Sequence, residues 1–367
     1  SFLLPNECSK NKLDYNIIVV KLVPMNGSGN TSPSMKALAA LCGVSSMTVS
    51  RSLRNDRSVA AATRRKVRAA AARAGYRVQG HLGRPRRGAA AAPPAEIVIG
   101  VGLGEGNLYH ARLVVAIERE LSVRGRDCLI RTCDGNYDRF LALCDALRRT
   151  RPEDLMILGY FPRDRLESLL SLTPRPLLLD QSLPVGLNGA TESIGFDNVA
   201  AARLAVGHLL DRGFRRILLL KGPEHHYFSQ DIDRGYRELL QERRLPADPG
   251  LIATADFTAE GARQAVGAAL AAGLSFDAVF TNDEMALGVL RALHEAGLAV
   301  PGRVAVAGCD GLPFGAHAVP SLTTVALDYE SLGRLVVDRL AARARHPRPV
   351  CRMLLTPALV VRESTGG

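Results

Sequence analysis

From Glu96 onward the chain alternates between short apolar runs and helix-length amphipathic stretches, a rhythm that few folds accept. The apolar runs are 97–101, 128–131, 155–158, 177–179, 217–220, 278–280 and 304–307. Each is too short for a helix and lacks the polar alternation of a half-exposed strand, so each reads as a strand buried on both faces. Between most of them lie stretches of helical period: 108–124, 137–149, 198–212, 232–243, 258–272 and 283–296. Strands separated by helix-length crossovers pair in parallel, and their helices cover both faces of the sheet. The length of this region implies two such lobes. Ligands of parallel sheets bind beyond the carboxyl ends of the strands, so the crevice between the lobes is the expected site.

The segment before Glu96 is different in kind. The run Ala39-Ala40-Leu41-Cys42-Gly43-Val44-Ser45-Ser46-Met47-Thr48-Val49-Ser50-Arg51 reads as two short helices joined by a tight turn. Gly43 stands where the first helix stops and the backbone needs positive φ. Ser45 is a good N-cap for the second helix, and Val44 and Val49 are spaced as a hydrophobic staple. Leu38, Leu41, Val44, Val49 and Leu53 are expected to close one small core, leaving Ser46, Met47, Ser50 and Arg51 outside. A third helix begins near Thr63, with Val67, Ala70, Ala71 and Ala74 facing inward, and ends at Gly75-Tyr76. That is a helix-turn-helix, whose second helix enters the major groove of DNA. Charge agrees: residues 31–88 hold thirteen Lys and Arg against one acidic residue, Asp56, a net +12 that accounts for the whole of the chain's +11. Basicity confined to one small module is the footprint of a phosphate-binding surface.

The remaining composition closes off other classes. At 367 residues, 47% of them hydrophobic, the chain can bury two or three cores. No apolar run reaches the ~18–20 residues of a membrane span, and 17–20 is too short for a secretory core. The seven cysteines form no CxxC pair, which points to a reducing compartment, the cytoplasm, rather than a disulfide framework. No metal-ligand spacing and no cofactor motif is present. The expected organisation is a polar, disordered lead-in at 1–32, a helix-turn-helix domain at 33–79, a Gly/Pro-containing linker at 80–95 and a sensor domain at 96–367.

Two sets of motifs carry a resemblance to the LacI/GalR family of bacterial transcription regulators. The first is Gly43-Val44-Ser45, Thr48-Val49-Ser50-Arg51, Thr63-Arg64, Val67 and Gly75-Tyr76. The second runs through the rest of the chain: Gly195-Phe196-Asp197-Asn198, the stretch from His208 to Ile217, Gly235-Tyr236, the stretch from Asp277 to Gly288, Val300-Pro301, Gly308-Cys309-Asp310, the stretch from Pro320 to Val325, and the tail from Leu359 to Thr365. The resemblance implies a small all-α head followed by a periplasmic-binding-protein-like α/β sensor of two doubly wound parallel-sheet lobes. The chain would cross between lobes near Glu192, Ala326 and Thr356, so that lobe 1 comprises about 96–191 and 327–356 and lobe 2 about 192–326 and 357–367. On that reading 329–345 returns to the first lobe and 358–362 adds an edge strand to the second. The implied activity is sequence-specific binding of operator DNA by a homodimer, with repression the expected sign, controlled by a sugar-like or related small metabolite held between the lobes, without catalysis, cofactor or membrane. Since the sequence stops at Gly367 without a heptad helix, a dimer rather than a tetramer is expected.

Residue by residue, the family's base-selecting positions at the start of the recognition helix fall on Ser46 and Met47. They offer little bidentate hydrogen bonding, though Met47 suits a thymine methyl. Arg51 matches a guanine-reading arginine, apt for a bidentate contact to O6 and N7. Ser45, Thr48, Ser50, Asn55 and Thr63 match phosphate contacts, which position without specifying, and Tyr76 is expected to be part core, part phosphate contact. The linker departs from the family pattern: Leu82 and Pro85 stand where an alanine and a DNA-wedging leucine are usual. Either Leu82 serves as the wedge in a shifted register, or no hinge helix forms and Arg84, Arg86 and Arg87 track the backbone. In the sensor, Asp180, Asn282 and Asp310 match positions that hydrogen-bond the effector, Phe257 and Tyr329 match cleft-lining aromatics, and the first β–α loop, with Asn107 and Tyr109, should touch the ligand. Ile232 occupies the position of a usual effector-binding arginine.

The residues exclude two other readings. Gly100-Val-Gly102-Leu-Gly104-Glu-Gly106 hints at a dinucleotide loop, but the spacing is not GxGxxG and Arg131 stands where an acidic residue should close the next strand. His225-His226 reads as a surface pair in a loop. A transport-associated solute-binding protein would share the sensor fold but has no use for the basic head.

Overall fold

The computed structural model describes residues 35–53, 58–73, 94–100, 108–133, 136–181, 191–345 and 352–367. They fall into two compact units, one within 20–91 and one from Ala92 on. The lead-in at 1–32 and most of the linker lie outside the described residues.

The first unit holds three helices, α1 (Met35–Cys42), α2 (Ser46–Leu53) and α3 (Ala61–Arg73). Gly43 closes α1 at φ +66°, and the amides of Gly43 and Val44 donate back to the carbonyls of Ala40 and Ala39 at 3.2 and 3.1 Å, a Schellman closure. Ser45 Oγ accepts from the Thr48 amide at 3.1 Å, capping α2. The core consists of Ala39, Cys42, Val49, Val67, Ala70 and Ala71, with Val44 packed against it. One expectation fails here: Leu41 is 68% exposed. Ala39 and Cys42, spaced i and i+3, form the buried face of α1, because three short helices this close together leave room only for small side chains.

The second unit contains two six-stranded sheets. The first runs β11-β5-β4-β3-β1-β2, with β1 (Ala95–Ile99), β2 (Cys128–Thr132), β3 (Leu155–Leu158), β4 (Leu177–Leu179), β5 (Glu192–Phe196) and β11 (Arg352–Leu355), all parallel. Helices α4 (Leu108–Val123) and α11 (Tyr329–Arg345) supply one covering layer, with Leu113, Ile117, Leu332 and Val336 packed on Ile97 and Met156. On the other face α5 (Tyr137–Thr150) and α6 (Arg163–Leu170) bury Phe140, Leu147, Leu166 and Leu169 against Val98 and Ile157. The second sheet runs β12-β10-β9-β8-β6-β7, with β6 (Ile217–Lys221), β7 (Ile252–Thr254), β8 (Ala278–Phe280), β9 (Ala305–Asp310), β10 (Thr323–Ala326) and the antiparallel edge strand β12 (Ala358–Val360). It lies between α7 (Asn198–Asp211) with α8 (Tyr227–Glu242) on one face, and α9 (Ala259–Ala271) with α10 (Asp283–Glu295) on the other.

The first crossing differs from expectation. Glu192 does not begin the second lobe, because β5 pairs with β4 and β11 in the first sheet and the chain leaves that lobe only after Phe196. Glu192 belongs there for an electrostatic reason. It is 5% exposed and bonds two guanidinium groups of α11, those of Arg339, whose Nε lies at 2.9 Å, and Arg343, whose Nε lies at 2.6 Å. Burial opposes charge on Glu192, but the two guanidinium groups prevail and hold its carboxyl below the usual range. This triad pins α11, which returns from the second lobe, to the strand where the chain first leaves.

Breaking a buried charge cluster by removing its centre strands the partners. Glu192→Ala should therefore lower unfolding stability by ~3–5 kcal/mol in guanidinium melts. A loss below about 1 kcal/mol, the range of exposed pairs, would show the cluster to be solvated.

Candidate functional site

The carboxyl ends of strands in both sheets meet around one cavity of about 250 Å³, just below the ~300–1,000 Å³ common for small-molecule sites. Each lining residue ends or follows a strand. In the first lobe these are Tyr109 and His110 in the first turn of α4, Tyr160 after β3 and Asp180 directly after β4. In the second lobe, the loop after β6 and the start of α8 supply Pro223, His225, His226, Tyr227 and Phe228. Asp256 and Phe257 follow β7, Asn282 and Glu284 follow β8, Asp310 ends β9 and Leu312 follows it.

Five of the expected effector residues, Tyr109, Asp180, Phe257, Asn282 and Asp310, thus line one cavity. Asn107 lies outside the described residues. Tyr329 does not line the cavity: it is buried behind it, where its hydroxyl donates to the Asp310 carbonyl at 2.8 Å and its ring lies 4.2 Å beneath the Arg112 guanidinium. Ile232 also stays out, fully buried in the second-lobe core beside Tyr236 and Leu239. The surface reading holds for His225, which is exposed though it also lines the cavity, but not for His226, which is partly buried. His226 caps α8 by accepting from the Phe228 amide at 3.3 Å, stacks on Tyr227 with ring centroids 4.5 Å apart and meets the Phe257 edge at 4.7 Å. His225 packs on Tyr160, with centroids 4.8 Å apart. Sequence reasoning missed Tyr160, Asp256 and Glu284 as well. The signal for all of them was position, since a polar or aromatic residue just past a strand's carboxyl end faces the crevice.

The polar groups are tightly held. The hydroxyls of Tyr109 and Tyr227 both donate to Oδ2 of Asp180, the latter at 2.9 Å, while the Phe196 amide donates to Oδ1 at 3.2 Å. Asn282 uses its Oδ1 to cap α10, accepting from the Met285 amide at 3.0 Å. Asp283, with no exposure, accepts from Thr324 Oγ1 and the Leu312 amide, each at 2.6 Å, and so fixes the loop after Asp310. Burial raises the carboxyl of Asp180 above its ordinary value, against the pull of its three donors. Burial, then the nearby Asp283 and Asp180 carboxyls, raise Asp310 further. Burial also pushes His110 down to about 4 and His226 to about 3, so both rings are neutral at physiological pH.

The backbone is strained at the same place. Among the described residues five non-glycine residues have positive φ, and three of them line the cavity: Asp180 at 46°, Phe257 at 67° and Asp310 at 120°. Such conformations persist only where surroundings over-determine them, and they gather at ligand sites. Gly222, at the end of β6, is needed because a Cβ there would enter the Phe257 ring.

In the head, Ser46, Met47 and Arg51 are exposed on α2, Met47 at 65%. Ser45 is occupied in capping, its Oγ also 2.9 Å from Thr48 Oγ1, and Thr48 and Thr63 are half-buried. The Ser50 side chain, Asn55, Tyr76 and Leu82 lie outside what the structure describes. No group of described residues is arranged to hold a metal ion, and no described helix is long and apolar enough to cross a membrane.

Comparison with known proteins bears on both units. Residues 34–79 match the bacterial regulatory proteins of the lacI family, and residues 206–365 match the periplasmic binding protein-like domain. The chain is 30% identical over 335 residues to the ribose operon repressor of Escherichia coli K12, covering 90% of this chain and 99% of that one. It is 29% identical over 358 residues to the HTH-type transcriptional regulator CelR of Thermobifida fusca, covering 90% and 98%. Among solved structures it resembles a CelR–cellobiose complex (TM-score 0.66, 28% identity, 90% of this chain and 99% of that one). It also resembles the lac repressor dimer bound to operator and the anti-inducer ONPF (TM-score 0.64, 26% identity, 91% and 99%).

The buried Asp283 carboxyl makes a pH dependence testable. Burial raises it to about 7, against the Thr324 hydroxyl and the Leu312 amide, whereas the unfolded chain titrates near 3.9. Between those values the folded state binds more protons, so the stability this group contributes falls as pH rises through that window. Relative to wild type, Asp283→Asn should therefore gain stability in denaturant melts at pH 7.5 compared with pH 5. A stability difference that does not change with pH would mean that Asp283 titrates alike in both states.

Proposed function

The chain belongs to the lacI family of bacterial regulatory proteins, and from that premise we propose how its parts divide the work of a transcriptional regulator. The helix-turn-helix head, 33–79, binds operator DNA as one half of a homodimer, and the sensor, 96–367, holds a sugar-like effector in the cavity between its lobes. The linker, 80–95, joins them. The protein represses transcription in the cytoplasm and performs no catalysis. The observation that carries the effector site is convergence: strand ends from two separately wound sheets contribute Tyr109 and Asp180 from one lobe, and Phe257, Asn282 and Asp310 from the other, to a single cavity.

Its position gives it leverage. Three hydrogen bonds cross between the lobes beside the cavity: Tyr227 to Asp180 at 2.9 Å, Arg112 Nη1 to the Gly311 carbonyl at 2.8 Å, and Tyr329 to the Asp310 carbonyl at 2.8 Å. A ligand touching both lobes biases the equilibrium between arrangements that make or break these bonds, by as much as its affinity for the two arrangements differs. By linkage, operator affinity then responds to effector by the same factor as effector affinity responds to operator.

In the head, Arg51 reads a base, flanked by Ser46 and Met47, while Ser45, Thr48, Ser50, Asn55, Thr63 and Tyr76 meet phosphates and Leu82 reaches the minor groove. Arg51→Ala should weaken operator binding by ~1–3 kcal/mol and relax base preference at one position per half-site, read by titration against cognate and scrambled duplexes. Equal loss on both duplexes would reassign Arg51 to a phosphate.

In the sensor, Asp310→Asn keeps a residue tolerant of positive φ while removing the carboxylate. It should abolish effector-dependent change in operator affinity, with the effector-free affinity of the same preparation reporting whether the protein is folded. An Asp310→Asn protein that still responds with unchanged effector affinity would remove Asp310 from the site.

A further inference from the structure

The cavity lining is chemically one-sided. Four carboxyl side chains face it, those of Asp180, Asp256, Glu284 and Asp310, and among the described lining residues there is no lysine or arginine. The stretches 101–107 and 182–190, outside the described residues, contain no lysine or arginine in sequence, and the first contains Glu105. The histidines whose titration is shifted, His110 and His226, are held neutral by burial. Arg112, the nearby guanidinium, is committed to the Gly311 carbonyl and the Tyr329 face.

The carboxyls also differ in what they already hold. Asp180 is engaged by two tyrosine hydroxyls and an amide. The other three, Asp256, Glu284 and Asp310, all belong to the second lobe. Asp256 uses Oδ1 for the Thr258 amide and hydroxyl, at 3.0 and 2.7 Å. Burial, and then the neighbouring acids, raise the carboxyls of Glu284, beside Asp256, and Asp310, beside Asp283 and Asp180, in a cavity whose described lining holds no lysine or arginine. Aromatic rings complete the walls: Tyr160, Tyr227, Phe228 and Phe257.

A sugar hydroxyl donates one hydrogen bond but also carries lone pairs that need donors, and this lining is poor in donors. Tyr109 and Tyr227 already give their protons to Asp180, and the Asn282 amide, whose oxygen caps α10, leaves its NH2 as one of few side-chain donors. An ammonium group is the opposite case, with three donors and no acceptor. It satisfies an acceptor-rich pocket, favours the ionised form of the carboxyls around it and is attracted to aromatic faces. A phosphate or carboxylate on the ligand would meet acidic side chains and no lysine or arginine among the described lining residues.

We propose that the effector is a cationic amine of small-metabolite size, such as an amino sugar, whose ammonium group is taken by Asp256, Glu284 and Asp310 and whose carbon skeleton packs on Tyr160 and Phe257. This rests on the reading of the cavity as the effector site.

The test uses the full chain and matched probe pairs: D-glucosamine against D-glucose and N-acetyl-D-glucosamine, and the same three compounds of the galactose series, by calorimetric titration. The expected result is that an amino sugar binds about tenfold or more tightly than both neutral counterparts. Glu284→Gln, at a half-buried position, and Asp310→Asn should each remove most of that preference, read as the ratio of amino-sugar to neutral-sugar affinity in the same preparation. The proposal is overturned if no amino sugar binds more tightly than its neutral counterparts, or if the preference survives both substitutions. Tyr160→Ala and Phe257→Ala separate the two levels of inference. A neutral sugar whose binding they weaken leaves the cavity as the effector site and sinks only the charge. A probe whose binding ignores both substitutions is bound elsewhere and takes the effector-site reading down with it.

Discussion

A carboxyl group without solvent, that of Asp283, organises the ligand side of the second lobe. It opens α10, and its two oxygens take the Thr324 hydroxyl from β10 and the Leu312 amide from the loop after β9. Gly308 must be glycine because a Cβ there would run into this carboxyl. With both ends of the turn so fixed, Asp310 is held at φ 120° and its carbonyl points to the Tyr329 hydroxyl. Tyr329 in turn packs edge-on against Tyr109, with centroids 5.9 Å apart, and Tyr109 bonds Asp180. A continuous series of contacts thus runs from a buried acid in one lobe to a buried acid in the other. Leaving a donor of such a network unpaired costs more than the bond itself is worth, which is why the strained backbone at its centre persists.

The sequence spoke most clearly where burial was complete. Strands such as 155–158 and 217–220 are unbroken apolar runs because helices cover both faces, and Asp180, Asn282 and Asp310 stood out as polar residues ending such runs. β5 was illegible as a strand because Glu-Ser-Ile-Gly-Phe does not read as apolar, yet all five residues are buried. Its glutamate is kept there by two arginines more than a hundred residues away, a pairing no local pattern announces. β7 was lost because it is three residues long at a sheet edge, and with it went the clue to Asp256. In α1 the hydrophobic period was read correctly but phased on the largest residue, Leu41, whereas close packing selects Ala39 and Cys42. Tyr329 was right in identity and wrong in role, since it supports the wall rather than forming it.

The two units rely on different forces. The sensor rests on four apolar clusters on the faces of its sheets and on a few buried charges. The head has one cluster built from alanine, cysteine and valine, and compensates with local devices: the Schellman closure at Gly43, the Ser45 cap and the Arg64 guanidinium on the Val59 carbonyl at 2.7 Å. Each such device is worth on the order of a kilocalorie per mole, a large share of what so small a core can supply.

The hydrogen bond from Tyr227 to Asp180 joins the lobes with a group that a ligand would itself want. A molecule that takes the place of the tyrosine on this carboxyl oxygen forfeits ~1 kcal/mol, or about fivefold in apparent affinity. On the proposed reading of the cavity as the effector site, Tyr227 is a tethered competitor for that site, at constant effective concentration, and shifts the response to correspondingly higher ligand levels. Removing that one hydroxyl would lower the threshold while leaving the Tyr227 ring in the cavity wall and the DNA-facing head unaltered.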